Sequence, residues 1–496
     1  MRARLSNMIA FDNSYARLPE HFYVRLDPTT VADPRLIRLN RQLCVELGID
    51  PDALADDEWA RVVSGNRLLP GSEPLAMAYA GHQFGHLAPR LGDGRAILLG
   101  EVMDRSGTRR DIHLKGTGRT PFSRGGDGRA ALGPVLREYL LSEAMHALGI
   151  PTTRALAAVT TGEQVYREVA LPGAILARVA SGLVRVGTFE YFAVRGDVDA
   201  LHRLADYVIS RHQPDLAHAD APYRALLEGV VELQAGLVAH WMQVGFIHGV
   251  MNTDNCAVSG ETIDFGPCAF MDAYDPDTVY SSVDQQGRYA YANQPGIAHW
   301  NLARFAEALL PILDSDRQRA LDHANGIVSA FPELFDGFWL AGMRRKLGLF
   351  TADDGDADLA RSLLDVMHQQ RADFTLTFRH LCDAVENPDG REAVRNLFAD
   401  PRAFDAWALR WQERLAGEPG HPSERATAMR QVNPAFIPRN HNVEHALDAA
   451  VREGDFSPFE TLLSVLSRPY ENRTDYAEYT RPPNPEEEVR QTFCGT

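Results

Sequence analysis

Residues 248–266 read HGVMNTDNCAVSGETIDFG and carry the clearest chemical pattern in the chain. Asn255 and Asp264 stand nine positions apart, and the segment between them has the composition of a short hairpin. Carboxylate and amide oxygens are the ligands that Mg²⁺ takes from proteins when phosphate oxygens complete its shell. We therefore expect Asn255 and Asp264 to hold a divalent metal, although an Asp-Phe-Gly tripeptide by itself is also common in ordinary turns.

The same stretch follows the order of a kinase catalytic segment, with one departure. Kinases place their catalytic Asp two residues after the His, and here that position holds Val250, which cannot take a proton. Asp254, directly before Asn255, could act as the base instead. It could also serve only to brace the metal ligand beside it.

A lysine and a glutamate upstream supply further parts that phosphate chemistry needs. Lys115 ends a predicted strand in DIHLKG, and Glu138 follows 23 residues later in a helix with apolar residues on most sides. An ionised glutamate inside such a helix needs a cationic partner, and a lysine at a strand end is the natural one. The alternatives are that both side chains are solvated, or that Glu143 is the partner.

Glycines and arginines indicate a site for a polyphosphate. Gly92 and Gly94 precede a strand, where backbone N–H groups could approach a phosphate, although Ile97 stands where a third glycine would fall. Five arginines follow in Gly-rich loops and strands, which is unusual in a chain of net charge −17. They are Arg119, Arg124, Arg129, Arg178 and Arg185. Taken singly, each could be a surface arginine in a loop.

The order of patterns favours an α+β fold, with strands and one buried helix first and a mostly helical half after them. This is the layout of a two-lobed protein-kinase-like (pseudokinase) fold. We expect an N-terminal extension over 1–75, a β-rich nucleotide-binding part over 76–195 and a helical lobe with the catalytic loop over 196–330. Residues 331–496 are expected to form a helical extension and a loosely held tail. The segment 174–192 is predicted to be β-rich.

Composition argues against nucleic-acid binding, membrane spanning and secretion. With a net charge of −17, the chain lacks the basic excess that is typical of nucleic-acid binders. No apolar run reaches the roughly 20 residues of a membrane span, and the first residues lack the apolar core of a secretory signal. Five cysteines without a Cys-x-x-Cys pair fit a reducing compartment. We therefore expect a cytoplasmic protein without nucleic-acid or membrane partners.

Two histidine motifs offer other interpretations. HNVEH, residues 441–445, matches a zinc-protease motif, but one match is easily met by chance among 17 histidines, and no third ligand stands out. His82 and His86 in GHQFGH have helical spacing, but two glycines argue against a helix there. We interpret them as loop or core histidines.

Several long blocks are shared with one known family. They are YAGHQFGHLAPRLGDGRAILLGE, HLKGTGRTPFSRGGDGRAALGPVLREYLLSEAMHALGIPTTRAL, HGVMNTDNCAVSGETIDFGPCAFMDAYDP and DQQGRYAYANQP, followed by weaker agreement in NPAFIPRNHNVEHAL and a cysteine near the end. Together these blocks resemble the selenoprotein O family, also called the YdiU family. The blocks run in order from about residue 75 to 300.

The resemblance implies a pseudokinase fold that transfers AMP from ATP, or UMP from UTP, to hydroxyl side chains of protein substrates. Pyrophosphate would be released, with Mg²⁺ or Mn²⁺ as the cofactor. Carried over by motif, Asp254 would be the proton acceptor, Asn255 and Asp264 would bind the metal, and Glu138 would pair with Lys115. The nucleotide would contact Gly92, Gly94, Arg95, Lys115, Asp127, Gly128, Arg178, Arg185 and Asp264. In this family the nucleotide lies reversed relative to kinases, which accounts for the additional arginines.

The cysteines depart from the family pattern. Cys494 occupies the place where some members carry selenocysteine, and some bacterial relatives can pair the tail cysteine with one in the loop after Asp-Phe-Gly. This chain has Tyr280 in that loop, so the resemblance supplies no such partner here. Cys256 and Cys268 remain as alternative partners.

Three functions are compared on these motifs. The first is nucleotidyl transfer to proteins, for which Asp254, Asn255 and Asp264 and the arginines argue. The second is conventional phosphoryl transfer, against which Val250 argues. The third is a non-catalytic nucleotide-binding scaffold, which the missing Asp at position 250 would explain. The resemblance favours the first.

Overall fold

The structure is a computed structural model that describes residues 9–493. An antiparallel sheet dominates the N-terminal part and helices dominate the rest, so the predicted α+β class is confirmed. The finer prediction of a kinase-like, two-lobed arrangement with the boundaries given above stays a prediction. Within the described residues, no helix combines the length and the apolar character needed to cross a membrane.

The described residues form twelve strands and sixteen α-helices. The strands are β1 (Tyr23–Arg25), β2 (Arg35–Leu39), β3 (Leu75–Met77), β4 (Gly81–Gln83), β5 (His86–Ala88), β6 (Ala96–Met103), β7 (Arg109–Lys115), β8 (Ala130–Ala131), β9 (Arg154–Tyr166), β10 (Ala170–Ala180), β11 (Phe246–Ile247) and β12 (Ala269–Phe270). The helices are α1 (Arg41–Glu46), α2 (Asp56–Val63), α3 (Leu132–Ala147), α4 (Val186–Ala193), α5 (Val198–His212), α6 (Pro222–Val244), α7 (Gln294–Leu313), α8 (Arg317–Val328), α9 (Phe331–Leu347), α10 (Asp356–Gln370), α11 (Phe374–Ala384), α12 (Pro388–Arg395), α13 (Pro401–Ala416), α14 (Pro422–Arg430), α15 (Asn440–Asp448) and α16 (Ser457–Leu466).

The main sheet has the strand order β1-β3-β6-β7-β10-β9-β2, with β8 beside β10. Neighbouring strands run antiparallel. The pattern of residues 94–118 predicts two strands joined by a turn at 104–107, and β6 and β7 are that pair. Helix α3 packs against β9 and β10, and eleven of its residues are buried. A charged side chain on a helix buried on so many sides needs a partner of opposite charge. Glu138 is predicted to be such a side chain.

Local patterns predicted most helices, with one error. Gly133-Pro134 and Gly149 predict the start and end of one buried helix, and α3 confirms it. The pattern of residues 223–246 predicts a long amphipathic helix, and α6 confirms that one. The prediction that all of 174–192 is β-rich is wrong, because the strand ends at Ala180 and α4 begins at Val186. The β-branched and aromatic composition was misleading. Its apolar residues recur at helical spacing in α4, where Val186, Phe189 and Phe192 are buried.

The C-terminal helices complete the core around α3. Helices α15 and α16 pack directly against it. Arg137 of α3 is buried; it donates a 2.6 Å hydrogen bond to the carbonyl of Cys268 and pairs with Glu444 of α15 at 2.9 Å. The buried helix is thereby tied both to the segment after Asp-Phe-Gly and to the last third of the chain.

The last described residues lie along that same segment. Thr492 is 2% exposed, and its N–H donates to the carbonyl of Tyr280 at 2.7 Å. Its hydroxyl donates to the carbonyl of Pro267 at 2.5 Å, directly after Asp-Phe-Gly. Tyr280 is itself buried, and so are Cys256 and Cys268. Cys494, which stands at the selenocysteine position of some family members, lies outside the described residues.

One lysine lies inside the helical part. Lys346 of α9 is 3% exposed, and its ammonium lies 4.2 Å from the ring centre of Phe378 and 5.7 Å from that of Phe374, both in α11. Burial lowers the pKa of Lys346 to about 7. An exposed lysine titrates at about 10.4. Between these values the unfolded chain binds a proton that the folded chain does not, so stability rises with pH from about 7 to about 10.

We expect Lys346→Met to remove this contribution. At about pH 8 the free energy of unfolding should rise by roughly 2–3 kcal/mol, and its increase between pH 7 and 9 should become shallower. Urea denaturation across this pH range measures both effects. Arg345→Met, at an exposed position of the same helix, is the control and should leave the slope unchanged. Equal slopes in Lys346→Met and the wild type would contradict the assignment.

Candidate active site

Four charged side chains from four separate elements meet in one buried cluster. Lys115 at the end of β7 lies 2.5 Å from the Glu138 carboxylate of α3 and 2.9 Å from Asp264 Oδ1. Arg178 of β10 contacts the same Asp264 oxygen at 2.7 Å and Glu138 at 3.3 Å. The structure therefore contains the predicted Lys115–Glu138 ion pair, and Glu143 pairs instead with Arg154.

Strand register explains why these side chains meet. His113 of β7 lies opposite Arg178 of β10 in the antiparallel pairing, and Lys115 follows His113 on the same face of its strand. Arg178 Nε donates to His113 Nδ1 at 3.1 Å, and His113 Nε2 lies 3.2 Å from Asp93. A neutral imidazole that accepts at Nδ1 carries its proton at Nε2, so it donates to Asp93. Both nitrogens of the buried ring are thus satisfied.

Asp264 is the centre of the cluster. Its φ is +63°, and the N–H of Gly266 donates back to its carbonyl at 2.9 Å, so Asp-Phe-Gly forms a tight turn. Burial alone would raise the pKa of Asp264, but the charges of Lys115, Arg178 and Arg185 outweigh burial and hold that pKa well below its usual range. Asp264 is therefore an ionised carboxylate, which a divalent metal requires.

Arg185 links this cluster to the catalytic loop. Its guanidinium lies 3.5 Å from Asp264, donates to the backbone carbonyl of Asp254 at 2.9 Å, and stacks over the ring of Tyr79 at 4.3 Å. It is 2% exposed. Among residues 9–493, nothing bonds to its Nη2, although that nitrogen is buried. A buried guanidinium nitrogen without a partner is what an anionic ligand would satisfy.

Asp254 lies in one turn of 3₁₀-helix, Thr253–Asn255, and is 8% exposed. Burial raises its pKa to about 6, against the opposing effects of Gln83 and Arg185. Gln83 Nε2 donates to its Oδ2 at 3.1 Å, while Oδ1 has no hydrogen-bond partner in the described part of the chain. A carboxylate with one uncommitted oxygen suits a proton acceptor.

Asn255 and His248 are fixed by backbone groups. Asn255 Nδ2 donates to the carbonyl of Val250 at 3.0 Å, which leaves its side-chain oxygen as the atom that can act as a ligand. His248 is 1% exposed, and its Nε2 is 2.9 Å from the carbonyl of Ile263, next to Asp264. The imidazole thus connects the two segments that carry the predicted metal ligands.

The Gly-rich turn before β6 is tightly packed. Gly92 has φ +109°, and a Cβ there would come within 2.4 Å of the Phe122 ring. A Cβ on Gly94 would lie 2.8 Å from the carbonyl of Phe122. The backbone of Arg95 accepts from Gly116, and its side chain lines a small cavity, of about 20 Å³, together with Lys115 and Glu138. These residues therefore border the charged cluster.

Asp127 and Gly128 lie in the loop that precedes α3. A Cβ on Gly128, at φ +69°, would come within 2.0 Å of the carbonyl of Gly118, so this position requires glycine. Asp127 is held by both terminal nitrogens of Arg167, at 2.8 and 3.1 Å, and this contact lowers its pKa. The structure pairs it with an arginine that the sequence patterns did not single out.

Three of the five arginines do not join the cluster. Arg119 folds back onto the carbonyls of Gly125 and Gly126, and Arg129 contacts the carbonyls of Thr29 and Thr30. Arg124 is exposed and has positive φ. Of the five, the structure brings only Arg178 and Arg185 to Asp264, and the other three fit the alternative of loop arginines. Loop arginines can satisfy themselves on nearby carbonyls, and composition does not reveal this.

Sequence reasoning missed several residues around the cluster. They are Tyr79, Gln83, Asp93, His113 and Glu190. Two signals were present: His113 shares a strand face with Lys115, and Asp93 stands between the two predicted glycines. No local pattern connects Gln83 to Asp254, because they are 171 positions apart.

Two further features lie outside this site. A cavity of about 510 Å³ is lined by residues that include Arg110, Arg154 and Glu261, and none of the predicted site residues lines it. In HNVEH, Glu444 pairs with Arg137, and neither ring nitrogen of His441 has a partner among the described residues. Glu444 therefore has a packing role at α3.

Comparison with known proteins places the chain in a family. The model of the family described as "Protein adenylyltransferase SelO" matches residues 6–467. A protein nucleotidyltransferase YdiU of Bradyrhizobium sp. (strain ORS 278) is 62% identical over 486 residues, covering 98% of this chain and 99% of the relative. One of Rhizobium rhizogenes (strain K84) is 62% identical over 488 residues, 98% and 97% of the two chains. One of Methylorubrum extorquens (strain PA1) is 61% identical over 498 residues, 99% and 100% of the two chains. With a family model matching most of the chain and relatives of this identity and coverage, the chain belongs to the protein adenylyltransferase SelO family, and the resemblance read from its motifs is confirmed.

Proposed function

We propose that the protein transfers AMP from ATP to a Ser, Thr or Tyr hydroxyl of a protein substrate and releases pyrophosphate. The observation that carries this proposal is the buried, unpartnered Nη2 of Arg185, whose Nη1 contacts Asp254 and Asp264. An anion held by Nη2 would lie beside a candidate base and a candidate metal ligand. Membership of the SelO family supports a nucleotide as that anion.

The donor set suits a divalent metal that the nucleotide helps to bind. Asp264 offers a carboxylate and Asn255 an amide oxygen, both hard donors. Within residues 9–493, no group of three or more His, Cys, Asp or Glu side chains could hold a metal by itself. Two protein oxygens plus phosphate oxygens is the usual way in which Mg²⁺ is bound with a nucleotide, and Mn²⁺ accepts the same ligands. When bound, the metal would neutralise charge at the α-phosphate.

The chain's own residues then have distinct tasks. Asp254 takes the proton of the acceptor hydroxyl, whose oxygen forms a bond to the α-phosphorus. The bond from that phosphorus to the bridging oxygen breaks, and pyrophosphate leaves with the electron pair. Lys115, Arg178 and Arg185 stabilise the charge that develops on the leaving group. Glu138 keeps Lys115 in place.

Phosphoryl transfer and a non-catalytic scaffold would each require a different set of residues at this site. Conventional phosphoryl transfer would require a base at the kinase position, which is Val250. A scaffold would require no base, yet Asp254 has an uncommitted carboxylate oxygen. UMP transfer from UTP uses the same groups and is covered by the broader name, nucleotidyltransferase, of the relatives.

Labelled nucleotides test the proposal. The purified protein is incubated with a protein extract, Mg²⁺ or Mn²⁺, and ATP labelled on either the α- or the γ-phosphorus. We expect only the α-label to become attached to protein. Attachment of the γ-label alone would establish phosphoryl transfer, and attachment of neither would favour the scaffold. The same assay with α-labelled UTP decides between AMP and UMP.

A further inference from the structure

The hairpin of β4 and β5, residues 81–88, lies directly on the catalytic loop. It forms its own two-stranded sheet, apart from the main one. The N–H of His82 donates to the hydroxyl of Thr253 at 2.7 Å, and the N–H of Phe84 donates to Asn252 Oδ1 at 3.0 Å. Residues on both sides of Gln83 are therefore bonded to the two residues that precede Asp254.

A buried glutamate also bonds to both the hairpin and the catalytic loop. Glu190 of α4 is 3% exposed; one oxygen lies 2.5 Å from His82 Nδ1 and the other accepts from the Thr253 hydroxyl at 2.5 Å. His82, Glu190 and Thr253 thus form a closed ring of hydrogen bonds between hairpin, helix and loop. Such a ring fixes the hairpin's position relative to the loop.

Phe84 holds the tip of the hairpin. It has φ +51°, uncommon for a residue with a side chain, and its ring packs against Tyr289 at 5.1 Å. The Tyr289 hydroxyl donates to Asn252 Oδ1 at 2.6 Å, the same oxygen that accepts from the N–H of Phe84. A strained backbone held by its surroundings in this way is typical of functional sites.

The two oxygens of Asp254 have different surroundings because of this hairpin. Oδ2 accepts from Gln83 Nε2 at 3.1 Å. Oδ1 has no partner among the described residues and lies so close to Gly81 that a Cβ there would come within 2.3 Å of it. Oδ1 is thus buried against the backbone of Gly81, and a side chain at position 81 would displace the carboxylate.

We propose that Gln83 is a positioning residue for Asp254: its amide binds Oδ2 and so fixes the orientation of the carboxylate that accepts the proton of the acceptor hydroxyl. This inference rests on the proposed function, in which Asp254 accepts that proton. A carboxylate can rotate about two side-chain bonds, and a base must come within about 2.6–3.2 Å of the proton donor. Misplacement by about 1 Å can cost roughly 10²-fold in rate, so an amide that removes this freedom should contribute measurably to turnover.

The test replaces Gln83 by Met, which has nearly the same length and shape but no donor. For α-label transfer, we expect kcat to fall by about tenfold, while KM for ATP and for the protein acceptor stays within about twofold. A normal kcat, or a loss confined to KM, would overturn the inference. The matched control is Leu87→Ala: this side chain is 39% exposed on the same hairpin, and its loss should leave the rate unchanged.

A double-mutant comparison separates positioning from a general structural effect. In an Asp254→Asn background there is no proton-accepting carboxylate left to aim, so Gln83→Met should change the residual transfer by less than about twofold. A tenfold loss in both backgrounds would show that Gln83 acts on the fold rather than through Asp254. Equal melting temperatures of the wild type and Gln83→Met confirm that both are folded.

The outcomes also distinguish this inference from the proposed function. If the wild type attaches no α-label, the proposed function fails and this inference fails with it. If Asp254→Ala is as active as the wild type, another group accepts the proton, and the inference about Gln83 fails while AMP transfer stands. If α-label transfer depends on Asp254 but not on Gln83, only the inference about Gln83 fails.

Discussion

Asp264→Ala is expected to abolish nucleotidyl transfer, with a fall in kcat of at least about 10³-fold. The carboxylate is the proposed metal ligand and also the group on which Lys115, Arg178 and Arg185 converge. Its loss removes the ligand and leaves three cationic groups repelling one another in a buried space, with Glu138 as the remaining carboxylate in contact. Label transfer from α-labelled ATP measures the effect.

In the same experiment, Asp264→Asn distinguishes the effect of losing the negative charge from the effect of losing the side chain. The amide retains the size of the carboxylate and can hold the turn, but it cannot neutralise the cations or bind the metal with a full charge. We expect it to be nearly as inactive as the alanine variant. Asp277→Ala, at an exposed aspartate of the same segment, is the control and should be fully active. More than a tenth of wild-type activity in Asp264→Asn would contradict the proposed metal role.

Asp254→Ala is expected to lower kcat by about 10²–10⁴-fold without weakening nucleotide binding. The reason is geometric: Asp254 presents a carboxylate oxygen without a partner, whereas its backbone carbonyl, which alanine retains, is the atom that holds Arg185. The anion site should therefore survive the substitution. Turnover is measured by α-label transfer and binding by calorimetry with an ATP analogue that has a methylene between its α- and β-phosphorus.

Two results would contradict this role for Asp254. Unchanged turnover would show that another group accepts the proton. A loss of nucleotide affinity equal to the loss of rate would show that Asp254 braces the metal site through Asn255, which was the other interpretation of its position. Asp254→Asn, which retains the hydrogen bond from Gln83 but is a poor base, should behave like Asp254→Ala.

Sequence could predict those parts of the site that depend on short-range patterns of residues. A charge in an apolar helix demands a partner, which predicts the pair of Lys115 and Glu138, and the structure places these two groups 2.5 Å apart. The tight turn at Asp264 follows from a short motif with known geometry. The α+β class followed from the order of patterns along the chain, and the antiparallel sheet followed by helices confirms it.

What could not be predicted depends on contacts between distant segments. Arg178 and Arg119 look alike in sequence, yet one enters the cluster because strand β10 pairs with β7, while the other satisfies itself on its own loop. The Val, Thr and Phe content of residues 186–192 favours a strand, but packing against other helices overrides that preference. Gln83 is recognised only once the hairpin is placed on the loop.

The contact between Arg137 and Glu444 has a consequence for synthesis on the ribosome. These residues are 307 positions apart, and the helices around Glu444 cover the face of α3 that is turned away from the sheet. At roughly 5–20 residues per second, a ribosome needs about 15–60 s to add that length of chain. Throughout this time α3 exposes an apolar surface, because α15 and α16, which pack against it, have not yet been synthesised. The emerging polypeptide should therefore depend on chaperones until its final segment leaves the exit tunnel.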